Sequence, residues 1–213
     1  MNLTICTPWW NHPGLLLEYA QAVNAGEPDE VIVIDNASDV AFDSKPLEPR
    51  TLTIRNKENL GFSRACNQGL AMATGDAVLF LNNDIRMAGE EGWAETIKEA
   101  LEPGTLVGAN LRSDDHASVD GKPVPYLDGW CLAGMREDLI EIGGWDEGYA
   151  EPAYYGDNDL CARAVARGFD LVQVDLPLVH LVGRSTTGEQ TAAALDVNYP
   201  RYAERVRSMG VLV

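Results

Sequence analysis

Ala77-Val78-Leu79-Phe80-Leu81-Asn82-Asn83-Asp84 is the stretch that decides the fold. Its first five residues are apolar without alternation, the pattern of a strand covered on both faces, and polar residues cluster where the run stops. Ahead of it, Gly61 to Ala73 carries helical spacing closed by Thr74-Gly75-Asp76. Further upstream, Leu3 to Thr7 reads as a short buried strand stopped by Pro8, and Pro13 to Asn24 as a helix with Leu15, Leu16, Tyr19 and Val23 on one face. Glu30-Val31-Ile32-Val33-Ile34-Asp35 is a second strand of the two-sided kind, ended by the turn residues Asn36-Ala37-Ser38-Asp39, and Thr51 to Arg55 is a third. Downstream, Trp93, Ile97, Ala100 and Leu101 mark an amphipathic helix ended by Pro103-Gly104, followed by a strand over Leu106 to Ala109.

This alternation predicts an α/β fold with an open, largely parallel sheet and helices on both faces, in which ligands bind at the carboxyl ends of the strands. Thr7, Asp35 and Asn82-Asn83-Asp84 all fall at strand ends, so three polar stations share one crevice. A dehydrogenase would carry G-x-G-x-x-G after the first strand; Thr7-Pro8-Trp9-Trp10-Asn11 stands there instead, and no Walker A sequence occurs. The second half is less regular. Residues 112–128 read as a loop or hairpin excursion, Arg136 to Ile142 and Asp157 to Ala166 as helices, and Leu171 to Val174 and Leu178 to Val182 as short strands. Thr191 to Met209 reads as a terminal helix interrupted near Pro200.

A chain of 213 residues is long enough for one well-buried domain and too short for two ordinary ones. Sixteen basic against thirty-three acidic residues leave a net charge of -17, which repels a phosphate backbone and an anionic bilayer, so nucleic acid is excluded as a partner. An anionic small-molecule substrate then needs a local source of positive charge, such as a divalent cation. Cys6, Cys66, Cys131 and Cys161 form no C-x-x-C pair and sit beside apolar stretches, as buried free thiols do. The start lacks a basic segment followed by a long apolar one, and no 18 apolar residues run together; no integral membrane segment and a cytoplasmic location are expected.

The series Thr7-Pro8, Val31-Ile32-Val33-Ile34-Asp35-Asn36, Asn59-Leu60-Gly61-Phe62-Ser63-Arg64-Ala65-Cys66-Asn67-Gln68-Gly69 and Leu81-Asn82-Asn83-Asp84 resembles, in order, the inverting glycosyltransferase family 2. Gly143-Gly144-Trp145-Asp146-Glu147, Asp157-Asn158-Asp159-Leu160-Cys161-Ala162-Arg163 and His180 continue the pattern, so the resemblance covers residues 3 to about 185. It implies a single GT-A domain, with residues 1–110 as the nucleotide-sugar half, 111–190 as the acceptor-binding and catalytic half and 191–213 as a tail. It also implies a nucleotide-sugar donor, UDP-linked, and a glycan, small-molecule or protein acceptor.

Each site residue carries a chemical expectation from that resemblance. A departing nucleoside diphosphate accumulates negative charge, which Mn²⁺ or Mg²⁺ neutralises. The family's Asp-x-Asp element is matched by Asn82-Asn83-Asp84, which leaves Asp84 as the one anionic ligand of the turn, with Asn82 and Asn83 on the donor. His180 matches the late histidine that completes the metal site. Without the resemblance, the turn reads equally as a plain strand end and His180 as a core histidine. Inversion needs a base opposite the leaving group, and Asp157 matches it, although Gly156 replaces the glutamate that precedes the base in the family. Asp157 is also suited simply to cap its helix.

Thr7 and Asp35 are expected beside the nucleobase, and Asn59 and Gly61 on the ribose side. Asp128, Trp130 and Trp145 match acceptor contacts, where aromatic faces suit a sugar ring, though such Trp residues also serve as packing anchors. Trp9 and Trp10 replace the smaller residues usual after Thr-Pro, and Arg64 suits either a phosphate or a surface carboxylate. A second reading, a non-catalytic sugar-nucleotide or glycan-binding module, follows from Asn82 and Gly156 at two acidic positions of the family.

Overall fold

The computed structural model describes residues 1–47, 51–151, 154–181 and 188–211, and of residues 188–191 only the backbone. The first half alternates strand and helix: β1 (Leu3–Trp9), α1 (Leu16–Ala25), β2 (Glu30–Asp35), β3 (Thr51–Arg55), α2 (Phe62–Met72), β4 (Ala77–Leu81), β5 (Ile85–Met87), α3 (Trp93–Ala100) and β6 (Thr105–Gly108). The second half holds β7 (Leu111–Arg112), β8 (Tyr126–Leu127), β9 (Cys131–Met135), α4 (Arg136–Ile142), α5 (Gly156–Val165), β10 (Asp170–Gln173), β11 (Leu178–His180) and α6 (Gly188–Met209). Val182, expected at the end of the last strand, lies outside the described residues.

Seven strands form the central sheet in the order β10-β6-β9-β4-β1-β2-β3. All run parallel except β9, which is antiparallel to both β4 and β6. The two-sided apolar runs are explained by β4: Ala77, Leu79 and Leu81 face a layer containing α1 and α3, while Val78 and Phe80 face a layer containing α2, α4 and α5. Packing on the second face is close. A methyl group at Gly69 of α2 would overlap Cys6 Sγ of β1, which explains the glycine of Asn67-Gln68-Gly69. All four cysteines are buried free thiols. Among the described residues no helix is long and apolar enough to cross a membrane.

Three features differ from the expectation. β1 runs through Pro8 to Trp9 against β2, while its pairing with β4 ends at Cys6. Pro8 therefore sits where the strand has already shed one neighbour, a position that tolerates its missing N–H. β9 has little strand signal because Ala133 and Gly134 are dictated by packing: a Cβ at residue 134 would lie 2.8 Å from Leu106 Cδ2 and 3.0 Å from Leu139 Cγ. Finally, α6 continues through Pro200. A helix-interior proline costs about 3 kcal/mol, but α6 buries Asn198, Tyr202, Ala203 and Val206 on one face against Val119, Val124, Tyr149 and Tyr155. Tertiary packing holds the helix across the break.

Candidate active site

β4 delivers the chain to the sheet's carboxyl edge, where Asn82-Asn83-Asp84 turns it into β5, antiparallel to β11. That ladder sets Ile85 opposite His180, and the Leu181 N–H donates to the Asp84 carbonyl at 2.7 Å. In consequence Asp84 Oδ1 lies 3.1 Å from His180 Nε2, and Asn82 Nδ2 lies 3.3 Å from the same nitrogen. Trp130 stacks on the imidazole, with ring centroids 5.1 Å apart and planes 9° from parallel, and its carbonyl accepts the Asn82 N–H. Asp84 and Asn83 are buried.

Among the described residues there is no group of three His, Cys, Asp or Glu side chains around one point. The set here is one carboxylate, one imidazole and one amide. His180 Nε2 cannot both donate to Asp84 and accept from Asn82, and turning the Asn82 amide over presents its oxygen in place of its nitrogen. An O,O,N set of this kind fits Mn²⁺ or Mg²⁺ completed by ligands from outside the protein.

Asp157 stands in the first turn of α5. Its Oδ2 accepts the Gly129 N–H and its Oδ1 the Asn158 N–H, each at 2.9 Å. Burial raises its pKa above the ordinary carboxylate range, with nearby Asp128 adding to the rise and those two N–H groups opposing it. Gly129 packs closely here: a Cβ would lie 3.0 Å from Trp145 Cη2 and 3.1 Å from Asp157 Cβ. At Gly156 a Cβ would fit, in ordinary contact with Trp145 at 3.5 Å.

The remaining expected residues divide clearly. Asp128 accepts from Arg112 Nε at 2.7 and 2.8 Å and from Asn110 Nδ2 at 3.0 Å, tying the excursion to the start of β9. Trp145 is 2% exposed and meets Phe62 and Phe80 edge to face, so it serves as a packing anchor. Thr7 is fully buried and its Oγ1 accepts the Tyr19 hydroxyl at 2.7 Å. Asp35 is 1% exposed, and its oxygens accept from Ser38 N–H at 2.9 Å, Phe42 N–H at 3.1 Å and Arg55 at 2.5 Å. Burial opposes the Asp35 charge, but Ser38, Phe42 and Arg55 together hold its pKa below the ordinary range. Its visible task is to shape the loop after β2.

Asn59 and Gly61 meet at the head of α2, where Asn59 Oδ1 accepts the Gly61 N–H and one Asn36 Nδ2 hydrogen. Gly61 has φ +88°, and a side chain there would overlap the Glu151 carboxyl. Arg64 pairs with Glu147 at 3.3 Å, the surface-carboxylate alternative. Three participants escaped the sequence reading. Asn36 holds Asn56, Asn59, Leu60 and Gly61 together; Arg55 neutralises Asp35; and Glu151 lies across Gly61. Asn36 and Arg55 carried a signal, as polar residues at the ends of strands; Glu151 had none.

The structure thus gathers Asn82, Asp84, His180, Trp130 and Asp157 on one edge, places Asn59 and Gly61 farther along it, and withdraws the side chains of Thr7, Asp35 and Trp145 into the interior. The solved structures that this chain resembles include the mannosyltransferase PcManGT from Pyrobaculum calidifontis in complex with GDP-Man and Mn²⁺. It is 16% identical with a TM-score of 0.65, over 98% of this chain and 73% of its own. GalNAc-T7 with UDP, GalNAc and Mn²⁺ is 13% identical with a TM-score of 0.68, over 93% of this chain and 48% of its own. TarS 1–349 from S. aureus in complex with UDP-GlcNAc is 15% identical with a TM-score of 0.60, over 91% and 61%. The chain therefore spans about half of GalNAc-T7 and under two thirds of that TarS fragment. At such identities the likeness is one of fold, the GT-A fold of glycosyltransferases. No curated protein matches the chain. The model described as Glycosyl transferase family 2 matches residues 4–143, the greater part of the chain, and the protein belongs to that family.

Proposed function

We propose that the protein is an inverting, metal-dependent glycosyltransferase that moves a sugar from a nucleoside diphosphate sugar, UDP-linked, to an acceptor hydroxyl. One observation carries the reading. Gly129 and Trp130 are consecutive, and the first donates its N–H to Asp157 while the second stacks on His180 beside Asp84. A proton-accepting carboxylate and a candidate metal pair therefore flank one short segment at the edge where an α/β sheet binds its ligand.

Asp84, His180 and the Asn82 amide oxygen would hold the cation, which when bound neutralises charge on the departing diphosphate. Asp157 takes the proton from the acceptor hydroxyl as that oxygen forms its bond to the anomeric carbon. The anomeric carbon–oxygen bond breaks, and its electron pair leaves on the nucleoside diphosphate. The raised pKa suits Asp157 to this work, because a carboxylate that holds its proton more tightly is the stronger base. Trp130 lends a flat wall beside His180, and Asp128 keeps the acceptor-side excursion docked. UDP in GalNAc-T7 and UDP-GlcNAc in TarS support a uridine donor, and the GDP-Man of PcManGT makes guanosine the competing base. Buried free thiols are in keeping with a cytoplasmic location.

The test is a panel of UDP-, GDP- and dTDP-sugars with and without Mn²⁺, scored by release of nucleoside diphosphate. Metal-dependent release with one nucleotide class is expected. Absence of release with every donor, while binding persists, overturns catalysis and favours the non-catalytic binding module.

A further inference from the structure

Asp157 is aimed by an unusual turn. Tyr155, two residues ahead of it, has φ +71°, the left-handed region that non-glycine residues occupy only when their surroundings hold them there. Those surroundings come largely from α6, which lies beyond the residues matched by the family model. Tyr155 stacks between His116, at 4.7 Å and 10°, and Tyr202 of α6, at 5.0 Å and 16°. Asn198, one turn before Tyr202 and 2% exposed, uses both ends of its amide on the segment that enters the turn. Its Oδ1 accepts the Ala150 N–H at 2.8 Å, and its Nδ2 donates to the Ala150 and Tyr154 carbonyls at 2.8 and 3.0 Å.

We propose that α6 is a positioning element for the transfer reaction, with Asn198 and Tyr202 fixing the left-handed turn at Tyr155 and so holding Asp157 against Gly129. Asn198 is a positioning residue: it touches neither Asp157 nor the Asp84–His180 pair, and acts through the backbone at Ala150 and Tyr154. A buried amide with three satisfied hydrogen bonds to main chain supplies the rigidity that a base needs, because a misplacement of about 1 Å at a reacting group costs roughly a hundredfold in rate. The rest of the contact is consistent with a brace. Arg205 of α6 lies 2.8 Å from Asp159, two residues beyond the base in α5, and also pairs with Asp146. The Tyr199 and Tyr202 hydroxyls donate to the Ser118 and Ala117 carbonyls of the excursion. The helix thereby grips both segments that flank Gly129 and Asp157.

The inference rests on the proposed base role of Asp157, so Asp157→Asn is measured in parallel. Asn198→Ala is assayed with the donor that supports turnover in the panel above. Its kcat is expected to fall at least tenfold, while the KM for that donor and the Kd for UDP with Mn²⁺ stay within twofold. The acid limb of the kcat–pH profile should also move toward the ordinary carboxylate range as Asp157 gains solvent. The groups facing Asp157 that bear on this limb are Asp128, Tyr126, Cys161 and Tyr202. Should the alanine variant fail to fold, Asn198→Asp, which keeps the acceptor for the Ala150 N–H and loses the two donated bonds, is read by the same criteria. Arg207→Ala, at an exposed pair with Asp120, is the control that leaves kcat unchanged.

A folded Asn198 variant with kcat and acid limb within twofold of the parent overturns the inference, however far its melting temperature falls. So does a fall in kcat matched by an equal weakening of UDP binding. If Asp157→Asn keeps its turnover, the base reading itself fails; if it is inactive while the Asn198 variant is normal, only the positioning role fails.

Discussion

Replacing Asp157 with Asn should leave the donor bound and abolish most of the transfer. The side chain keeps its size, so the perturbation is confined to one charge and one acceptor. Of the two N–H groups aimed at the carboxylate, from Gly129 and Asn158, an amide oxygen satisfies one, and the other faces an NH2 group. Leaving that donor unpaired costs about 1–3 kcal/mol. Relief of a buried charge stands against it. Because the folded pKa is raised, the carboxyl favours folding below its unfolded pKa of about 3.9, and that advantage is lost as pH rises through the folded value. Above that value the buried carboxylate carries a desolvation penalty that the neutral amide escapes.

The two effects oppose each other, so the net change in stability should be about 1 kcal/mol or less, a shift of roughly 2–4 °C in Tm for a chain of this size. Loss of a positioned base lowers the rate by about 10²–10⁴, which is about 2.7–5.5 kcal/mol of barrier. The assay compares single-turnover transfer rates with the Kd for UDP and Mn²⁺, which should hold because Asp157 makes no contact with Asp84 or His180. In the parent enzyme the acid limb of kcat should lie above the ordinary carboxylate range. A variant with turnover within about threefold of the parent would refute the reasoning, since such a loss is far below what general-base removal produces.

Asn82→Asp sets a second carboxylate beside Asp84 and His180, so the metal-free protein should melt lower while the rise in Tm on adding Mn²⁺ grows; an unchanged rise would remove Asn82 from the metal site. Gly69→Ala places a methyl group on Cys6 Sγ. Overpacking of about 1–3 kcal/mol should outweigh a helix-propensity gain of about 1 kcal/mol, and a denaturant midpoint that stays or rises would contradict the packing described. Arg163→Met removes a buried guanidinium that donates to Asp159 and to the Ile142 and Gly144 carbonyls. Its cost, read from urea unfolding, should approach 3–5 kcal/mol, and a loss below about 1 kcal/mol would mean that Arg205 alone satisfies Asp159.

The parallel half of the sheet was legible because strands covered on both faces announce themselves: β2 and β4 begin and end where their apolar runs do. β9 was not, because Gly134 answers to Leu106 and Leu139 rather than to strand preference. The course of α6 through Pro200 was hidden for a similar reason, since the partners that hold it lie 48 to 85 residues away in sequence. Around the candidate site, what was legible is local position: Asp84 follows the end of its strand, and Asp157 opens its helix. What faces a residue from a distant segment was not legible. Nothing in the sequence around Asp35 says that Arg55 closes over it, or around Thr7 that Tyr19 takes its hydroxyl.

β9 begins at the edge where the strands around it end, and the excursion over residues 112–128 lies between the end of β6 and that beginning. Both ends of the excursion are thus moored at the reactive edge, while the ladder that carries the sheet, Leu79 to Ala133 and Val107 to Ala133, lies wholly outside it. Such an arrangement separates two evolutionary clocks. Insertions and exchanges between Leu111 and Leu127 can remodel the surface at that edge without shifting the register that sets Ile85 opposite His180 and so Asp84 beside it; under the proposed function, acceptor choice would be free to diverge while the donor side stays as it is.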